Sequence, residues 1–295
     1  MPMSRASAHG VLFAGLLLVS TAGPFLVMAR MDAFAVVLYR MAFAGALFLG
    51  WALLRRELQL TRRQAARIAV GGAFLALHFM LWIKAFDLTD YASNLLLLVT
   101  EPVVAAIFGI WLGERPTRAT WTSVALAALG LAIVAGHDFR LGPRALLGDG
   151  LCILAGVAIT LFFVITQRER ETLPLSSFMG VALLAGALVS VPVVLLAHAP
   201  LLAYPRESWG WLAGIVLLTT LGGHGAFNLA ARQVRLFTVN LVVVLEPAIA
   251  IAMGALLFGA TVTPLQVAGG VVLAMAVVVG LRAPTTARVQ VQPSE

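Results

Sequence analysis

Ten runs of predominantly apolar residues follow one another along the chain, separated by short connectors rich in Arg, Pro, Asp and Thr. A hydrocarbon core about 30 Å thick is crossed by roughly 20 helical residues at a rise of 1.5 Å each. The runs therefore predict ten transmembrane helices, which we call spans 1 to 10. They cover 10–29, 34–54, 66–86, 91–112, 119–137, 148–167, 176–197, 209–230, 236–258 and 264–281.

Composition agrees with an all-α membrane protein. Hydrophobic residues make up 61% of the chain and charged residues 11%, against roughly 45–50% and 25% in soluble proteins. A membrane β-barrel would show alternating strands of about ten residues rather than these long runs. The single cysteine, Cys152, excludes an intrachain disulfide and a multi-cysteine metal site. We expect no cofactor, no metal and a lipid bilayer as the surroundings.

The basic residues predict the orientation of the chain in the bilayer. The formal net charge is +7, but most of the arginines lie in the connectors, so the surplus is not read as a nucleic-acid site. With the N-terminus inside, 14 of the 20 Lys and Arg residues lie on the cytoplasmic side and five on the opposite side, with Arg40 inside a span. This bias predicts a multi-pass protein of the bacterial inner membrane, with segments 1–9 and 282–295 cytoplasmic. The first run follows Arg5, as in a signal peptide, but its length and the nine later spans favour a retained helix.

The two halves of the sequence resemble each other. Residues 91–102 read YASNLLLLVTEP, and residues 237–247 read FTVNLVVVLEP. Matching pairs at an offset of 146 or 145 are His78 and His224, Asn94 and Asn240, Glu101-Pro102 and Glu246-Pro247, and Thr117 and Thr263. The repeat unit is thus five spans long, in segments 10–137 and 148–281. An odd number of spans gives the halves opposite orientations, and inverted repeats of this kind hold the substrate between them in secondary transporters.

The motifs also carry a resemblance to a known family. A Pro in the middle of spans 4 and 9, and LGERPT closing span 4, resemble the EamA-type transporters of the drug/metabolite transporter superfamily from about residue 9 to 282. The second repeat departs from the pattern, because it reads FGATVT at 258–263 without the Glu. Within the superfamily, the chain is similar to the bacterial exporters of amino acids, aromatic ones included. The resemblance implies ten helices around a central cavity and the export of amino acids.

Histidines at matched repeat positions are the first candidates for a substrate site. His78 and Trp82 are four residues apart in span 3, and His224 and Asn228 are four apart in span 8. That spacing places each pair on one face of its helix. We therefore predict that all four side chains point into one central cavity. Hydrogen bonding of either histidine to a neighbouring helix is the alternative.

Aromatic and amide side chains complete the predicted lining. Trp82, Phe162 and Phe163 are candidates for apolar walls around a substrate, whereas tryptophans near span ends fit the interfacial belt. Asn94 is a further candidate, although an amide inside a span commonly bonds a neighbouring helix.

Two carboxylates lie at the middle of their spans, each directly before a proline. Glu101 precedes Pro102, and Glu246 precedes Pro247. A charge at that depth costs at least about 2.5–3.5 kcal/mol, which favours the neutral acid. One interpretation is a protonated Glu that donates to a carbonyl freed by the proline; another is an ion pair with Arg40; the third is a proton site beside the transport path. Pro24, within the sequence Ser20-Thr21-Ala22-Gly23-Pro24, predicts a similar break in span 1.

These features favour a secondary transporter of amino acids, aromatic and other neutral ones, working by alternating access. The alternatives are an uncoupled facilitator and a broad-range drug or metabolite exporter. The chain has no Walker motif and neither H-E-x-x-H nor G-x-S-x-G, so ATP-driven transport and intramembrane hydrolysis are disfavoured. We expect a monomer.

The arginine bias makes the topology testable. A reporter fused after Glu295 should be active only if it functions in the cytoplasm, because 14 basic residues are assigned to that side. Alkaline phosphatase and green fluorescent protein fusions measure the two outcomes. Phosphatase activity from the C-terminal fusion would contradict the orientation.

Overall fold

The computed structural model describes residues 4–89, 94, 96–136, 142–170, 172–259 and 261–283. Every regular element in these ranges is helical. The helices, grouped by span, are Arg5–Val19 and Ala22–Ala29 (span 1), Ala33–Leu54 (span 2), Arg62–Phe86 (span 3), Thr100–Gly109 between short 3₁₀ turns Leu97–Val99 and Ile110–Leu112 (span 4), Arg118–Ala135 (span 5), Pro143–Glu169 (span 6), Leu175–Leu196 (span 7), Arg206–Gly214, Ile215–His224 and Gly225–Ala230 (span 8), Leu236–Val243 and Glu246–Phe258 (span 9), and Pro264–Arg282 (span 10).

Nine helical segments in the described ranges are long and apolar enough to cross a membrane. The predicted span 4, 91–112, appears as a shorter apolar helix over Leu97–Leu112. Residues 91–93 and 95 lie outside the described part of the chain, as does position 137 at the end of span 5. The all-helical prediction is therefore confirmed, with a fourth helix that is shorter than the others where it is described.

Spans from opposite halves pack against each other as an inverted pair. Span 5 packs along span 10, and span 2 along span 7. Gly130 of span 5 lies against Leu273 of span 10, and Val134 of span 5 lies against Gly269 of span 10. Residue numbers therefore rise along span 5 as they fall along span 10. Spans 2 and 7 show the same pattern. Gly45 of span 2 lies against Leu184 of span 7, and the earlier residue Met41 lies against the later residue Gly186. Equivalent spans thus run antiparallel, which is the geometry of an inverted repeat.

Crossed pairs complete the bundle. Span 3 packs on span 6 and span 1 on span 8, which are equivalent pairs under exchange of the halves, and span 4 packs on span 9. Leu236, at the start of span 9, donates its backbone N–H to Glu114 Oε1 at 2.8 Å, just after span 4. Arg235 donates to the carbonyl of Gly280 near the end of span 10. We call this end of the bundle, where span 1 begins and span 10 ends, the proximal end, and the opposite end distal.

The regular α-helical hydrogen bonding is interrupted in spans 1, 8 and 9. Span 1 breaks at Ser20 and Thr21, whose hydroxyls donate to the carbonyls of Leu16 and Leu18. Span 8 contains a π-helix over Ile215–His224, a geometry that is frequent at functional sites. The two irregular regions touch, because the hydroxyls of Thr21 and Thr219 are 2.8 Å apart. Span 9 breaks between Val243 and Glu246, as the Glu-Pro motif predicts.

Glycines at the helix crossings allow the halves to approach closely, and one of them gives a test of the packing. A Cβ placed on Gly72 would lie 1.9 Å from the carbonyl oxygen of Ala182, which is backbone and cannot turn away. We expect Gly72→Ala to lower stability by about 1–3 kcal/mol, the usual range for overpacking. Gly150→Ala is the matched control, because a Cβ there meets nothing within 4 Å. Thermal unfolding in detergent measures both, and equal midpoints would contradict the close crossing of spans 3 and 7.

Candidate solute-binding cavity

A cavity of about 560 Å³, including its open part, lies between the two halves. Spans 1, 2, 3, 4, 6, 8 and 9 all contribute to its wall, so it is built at the interface of the repeats. Its lining is Val19, Ala22, Arg40, His78, Phe79, Trp82, Leu98, Glu101, Ile159, Phe163, His224, Phe227, Val243 and Glu246. An adjoining pocket of about 210 Å³ shares His78, Trp82, Leu98 and Glu101 and adds Asn94, Leu97, Cys152, Ala155 and Gly156.

Arg40 is the cation of this cavity. Its side chain is 2% exposed, and its Nε donates to the hydroxyl of Thr220 at 3.1 Å. The guanidinium carbon lies 4.0 Å from the centre of the Phe79 ring, in cation–π geometry. Its Nη2 is buried without a hydrogen-bond partner in the described part of the chain. Arg40 is therefore held by one hydrogen bond and one aromatic ring, with Nη2 left as a buried donor.

The two histidines differ in what they offer to a solute. His78 Nδ1 lies 3.0 Å from the carbonyl oxygen of Ala155. Because a carbonyl only accepts, that nitrogen carries the proton, and Nε2 of the neutral ring is an acceptor. His224 Nδ1 is buried with no partner among the described residues, and its ring contacts Phe79 edge-on at a centroid distance of 5.3 Å.

Two carboxyl groups face the same space. Glu101 is 4% exposed, and its Oε2 has no hydrogen-bond partner within the described ranges. The bond from Glu101 to a carbonyl freed by Pro102 is not formed in the structure. The described residues show no ion pair within 4 Å between Arg40 and either carboxyl, although Glu246 is close enough to act on the charge of Arg40.

The proximal side of the cavity is closed by successive layers. Phe163 and Phe227 pack with their ring centroids 6.4 Å apart and form the floor. One turn further, Thr166 donates to Asn228 Oδ1 at 3.0 Å. Beyond that, Gln167 Nε2 donates to the carbonyl of Val234 at 2.9 Å. Every layer joins span 6 to the region of span 8, so opening at this end requires those two spans to separate.

Most of the sequence-based candidates come together here. His78, Trp82, Phe163, His224, Glu101 and Glu246 line the cavity, and Asn94 lines the adjoining pocket. Their roles in binding remain predictions.

Five candidates lie elsewhere. Asn228 was expected in the cavity, but its amide donates to the carbonyl of His224 and accepts from Thr166, one layer below the floor. Phe162 is fully buried against Phe178 and faces away from the cavity. The three prolines, Pro24, Pro102 and Pro247, each lie in the first turn of a helix and do not line the cavity. Asn228 and Phe162 thus make contacts between helices outside the cavity lining.

Sequence reasoning missed Arg40 as a wall residue, along with Phe79 and Phe227. The signal was an arginine inside an apolar span, which is costly enough to mark a functional position. Within the described ranges, no group of three or more His, Cys, Asp or Glu side chains is arranged to hold a metal ion.

Comparison with known proteins supports this architecture. The sequence model of the EamA-like transporter family matches residues 6–136 and again residues 146–282. An uncharacterized transporter from Archaeoglobus fulgidus is 25% identical over 204 residues, which cover 68% of this chain and 71% of that protein. A solved crystal structure superposes with a TM-score of 0.81 at 17% identity, covering 94% of this chain and 96% of that one. At this identity the structural likeness shows the fold alone.

The buried carboxyl of Glu101 gives a direct test of its role. Since the carboxyl bonds to no described residue, we expect Glu101→Gln to keep the thermal midpoint within about 2 °C of wild type. We expect the same variant to lose the response of solute flux to an imposed pH gradient, because the amide cannot take up a proton. Liposome flux with and without the gradient measures this. Glu207→Gln, on an exposed residue outside the cavity, is the control, and an unchanged response in Glu101→Gln would contradict the proton role.

Proposed function

The chain belongs to the EamA-like transporter family, and we propose that it exports amino acids, aromatic and other neutral ones, across the bacterial inner membrane by alternating access. Membership of the family and the uncharacterized transporter among its relatives point to transport rather than catalysis. The substrate, the mechanism, the direction and the membrane are the proposed part.

The observation that carries the proposal is the composition of the cavity wall. A guanidinium, two imidazoles and two carboxyls line the same cavity as aromatic and aliphatic side chains. Small-molecule sites combine an apolar lining with a few polar groups that fix orientation. A neutral amino acid has the matching features, because it carries one positive end, one negative end and an apolar side chain.

The layered closure supports alternating access. The cavity is shut at the proximal end by the Phe163–Phe227 floor and the hydrogen bonds beneath it, while the adjoining pocket extends towards the distal end. In an inverted repeat, exchanging the arrangements of the two halves closes the other end. With the proximal end in the cytoplasm, as the arginine bias predicts, repeated exchange moves solute outward when its concentration is higher in the cytoplasm.

The aromatic wall predicts a graded effect on substrates. Trp82→Ala should reduce transport of phenylalanine and tryptophan about tenfold but that of alanine and serine less than threefold, because only large side chains reach the indole. Uptake of labelled amino acids into liposomes containing purified protein measures the ratio. Equal losses for both groups would indicate that Trp82 serves packing, and the absence of amino-acid flux in wild type would reject the proposed substrate. The matched control is Trp121→Ala, on an exposed residue of span 5.

A further inference from the structure

Two polar groups in the cavity wall are buried without a hydrogen-bond partner among the described residues. Arg40 is held by Thr220 and by the Phe79 ring, yet its Nη2 has no acceptor in the described part of the chain. Nδ1 of His224 is likewise buried without a partner. Both side chains contact Phe79, the arginine over its face and the imidazole edge-on. Two unfilled polar positions are thus held side by side by one aromatic ring.

Burying a polar group without a hydrogen-bond partner costs free energy, so a ligand that bonds to Arg40 Nη2 and His224 Nδ1 would remove that cost. A buried donor that finds no acceptor costs about 1–3 kcal/mol, and more when it is charged. Charge-assisted bonds from Arg to a planar carboxylate are short, strong and often bidentate. We propose that Arg40 and His224 bind the carboxylate group of the transported solute. The proposal rests on the amino-acid function above and names the residues that recognise one end of the substrate.

The geometry of span 8 is what brings the site together. The hydroxyl of Thr220 accepts from Arg40 Nε and donates to the carbonyl of Ile215, five residues back, as the π-helix allows. The π-helix ends at His224. One irregular turn therefore supplies both the anchor of the guanidinium and the second ligand of the carboxylate.

The same cavity also contains the complementary chemistry. His78 Nε2 is an acceptor, as is Oε2 of an ionised Glu101, and neither is a donor in those states. A solute whose carboxylate binds Arg40 can direct an ammonium group to these acceptors. Multiply charged anions are disfavoured, because Glu101 and Glu246 line the same space.

Ligands that lack one charged group test the site in the wild-type protein. The probes are phenylalanine, phenylalaninamide without the carboxylate, and hydrocinnamate without the amine, with dissociation constants measured on the purified protein in detergent. We expect phenylalanine to bind at least about tenfold more tightly than the amide. Equal affinities for phenylalanine and its amide would overturn the proposal without any variant.

Variants then locate the carboxylate. In Arg40→Gln, phenylalanine and phenylalaninamide should bind within about twofold of each other, whereas the exposed Arg206→Gln should keep the wild-type preference. His224→Ala should reduce the preference for the acid partly, and serves where Arg40→Gln does not fold. A folded Arg40→Gln protein that still prefers the acid tenfold would overturn the assignment while leaving amino-acid transport intact. Binding of hydrocinnamate that depends on Arg40, without binding of phenylalanine, would support the anion site and reject the amino-acid function.

Discussion

A guanidinium inside a membrane-spanning helix is the constraint on which the centre of this molecule depends. Arg40 lies within the Ala33–Leu54 helix and is almost fully buried. A charge at such depth costs at least about 2.5–3.5 kcal/mol unless neighbours compensate it. The Thr220 hydroxyl and the Phe79 face supply part of that compensation. Arg40 Nη2 has no partner among the described residues, and Arg40 lines the cavity, so this arginine contributes to the polarity of the site.

The inverted repeat builds a symmetric frame around an asymmetric site. Thr117 and Thr263 cap spans 5 and 10 in the same way, each by a reciprocal bond with the residue three positions on. In the cavity, by contrast, the residue that corresponds to Trp82 at the same offset of 146 is Asn228, which lies one layer below the floor. The first half provides the Arg40 guanidinium and the Trp82 indole to the cavity wall, so the two halves contribute different chemistry.

The sequence predicted the spans and the repeat well, because apolar run length and matched motifs are physical requirements of a bilayer fold. It also placed His78, Trp82 and His224 on one cavity, since helical spacing decides which side chains share a face. It misplaced Asn228 and Phe162, because a side chain at a helix interface and one that faces a cavity give the same periodic pattern in the sequence. It missed the π-helix of span 8, whose wider turn depends on tertiary contacts such as Thr21 with Thr219. Arg40 was visible as an anomaly, but only coordinates show which of its nitrogens lacks a partner.

The central claim is that the cavity between the halves is where solute binds. The single cysteine, Cys152, lines the pocket that adjoins this cavity and is 5% exposed. Its thiol can therefore report on occupancy of the cavity without an introduced residue. The direct measurement is the rate at which a small methanethiosulfonate reagent modifies Cys152 in liposomes, with and without phenylalanine. We predict that phenylalanine slows the modification in a saturable way, at the concentrations that support flux. A modification rate that is unchanged at concentrations saturating transport would contradict the account, because solute would then pass without occupying this cavity.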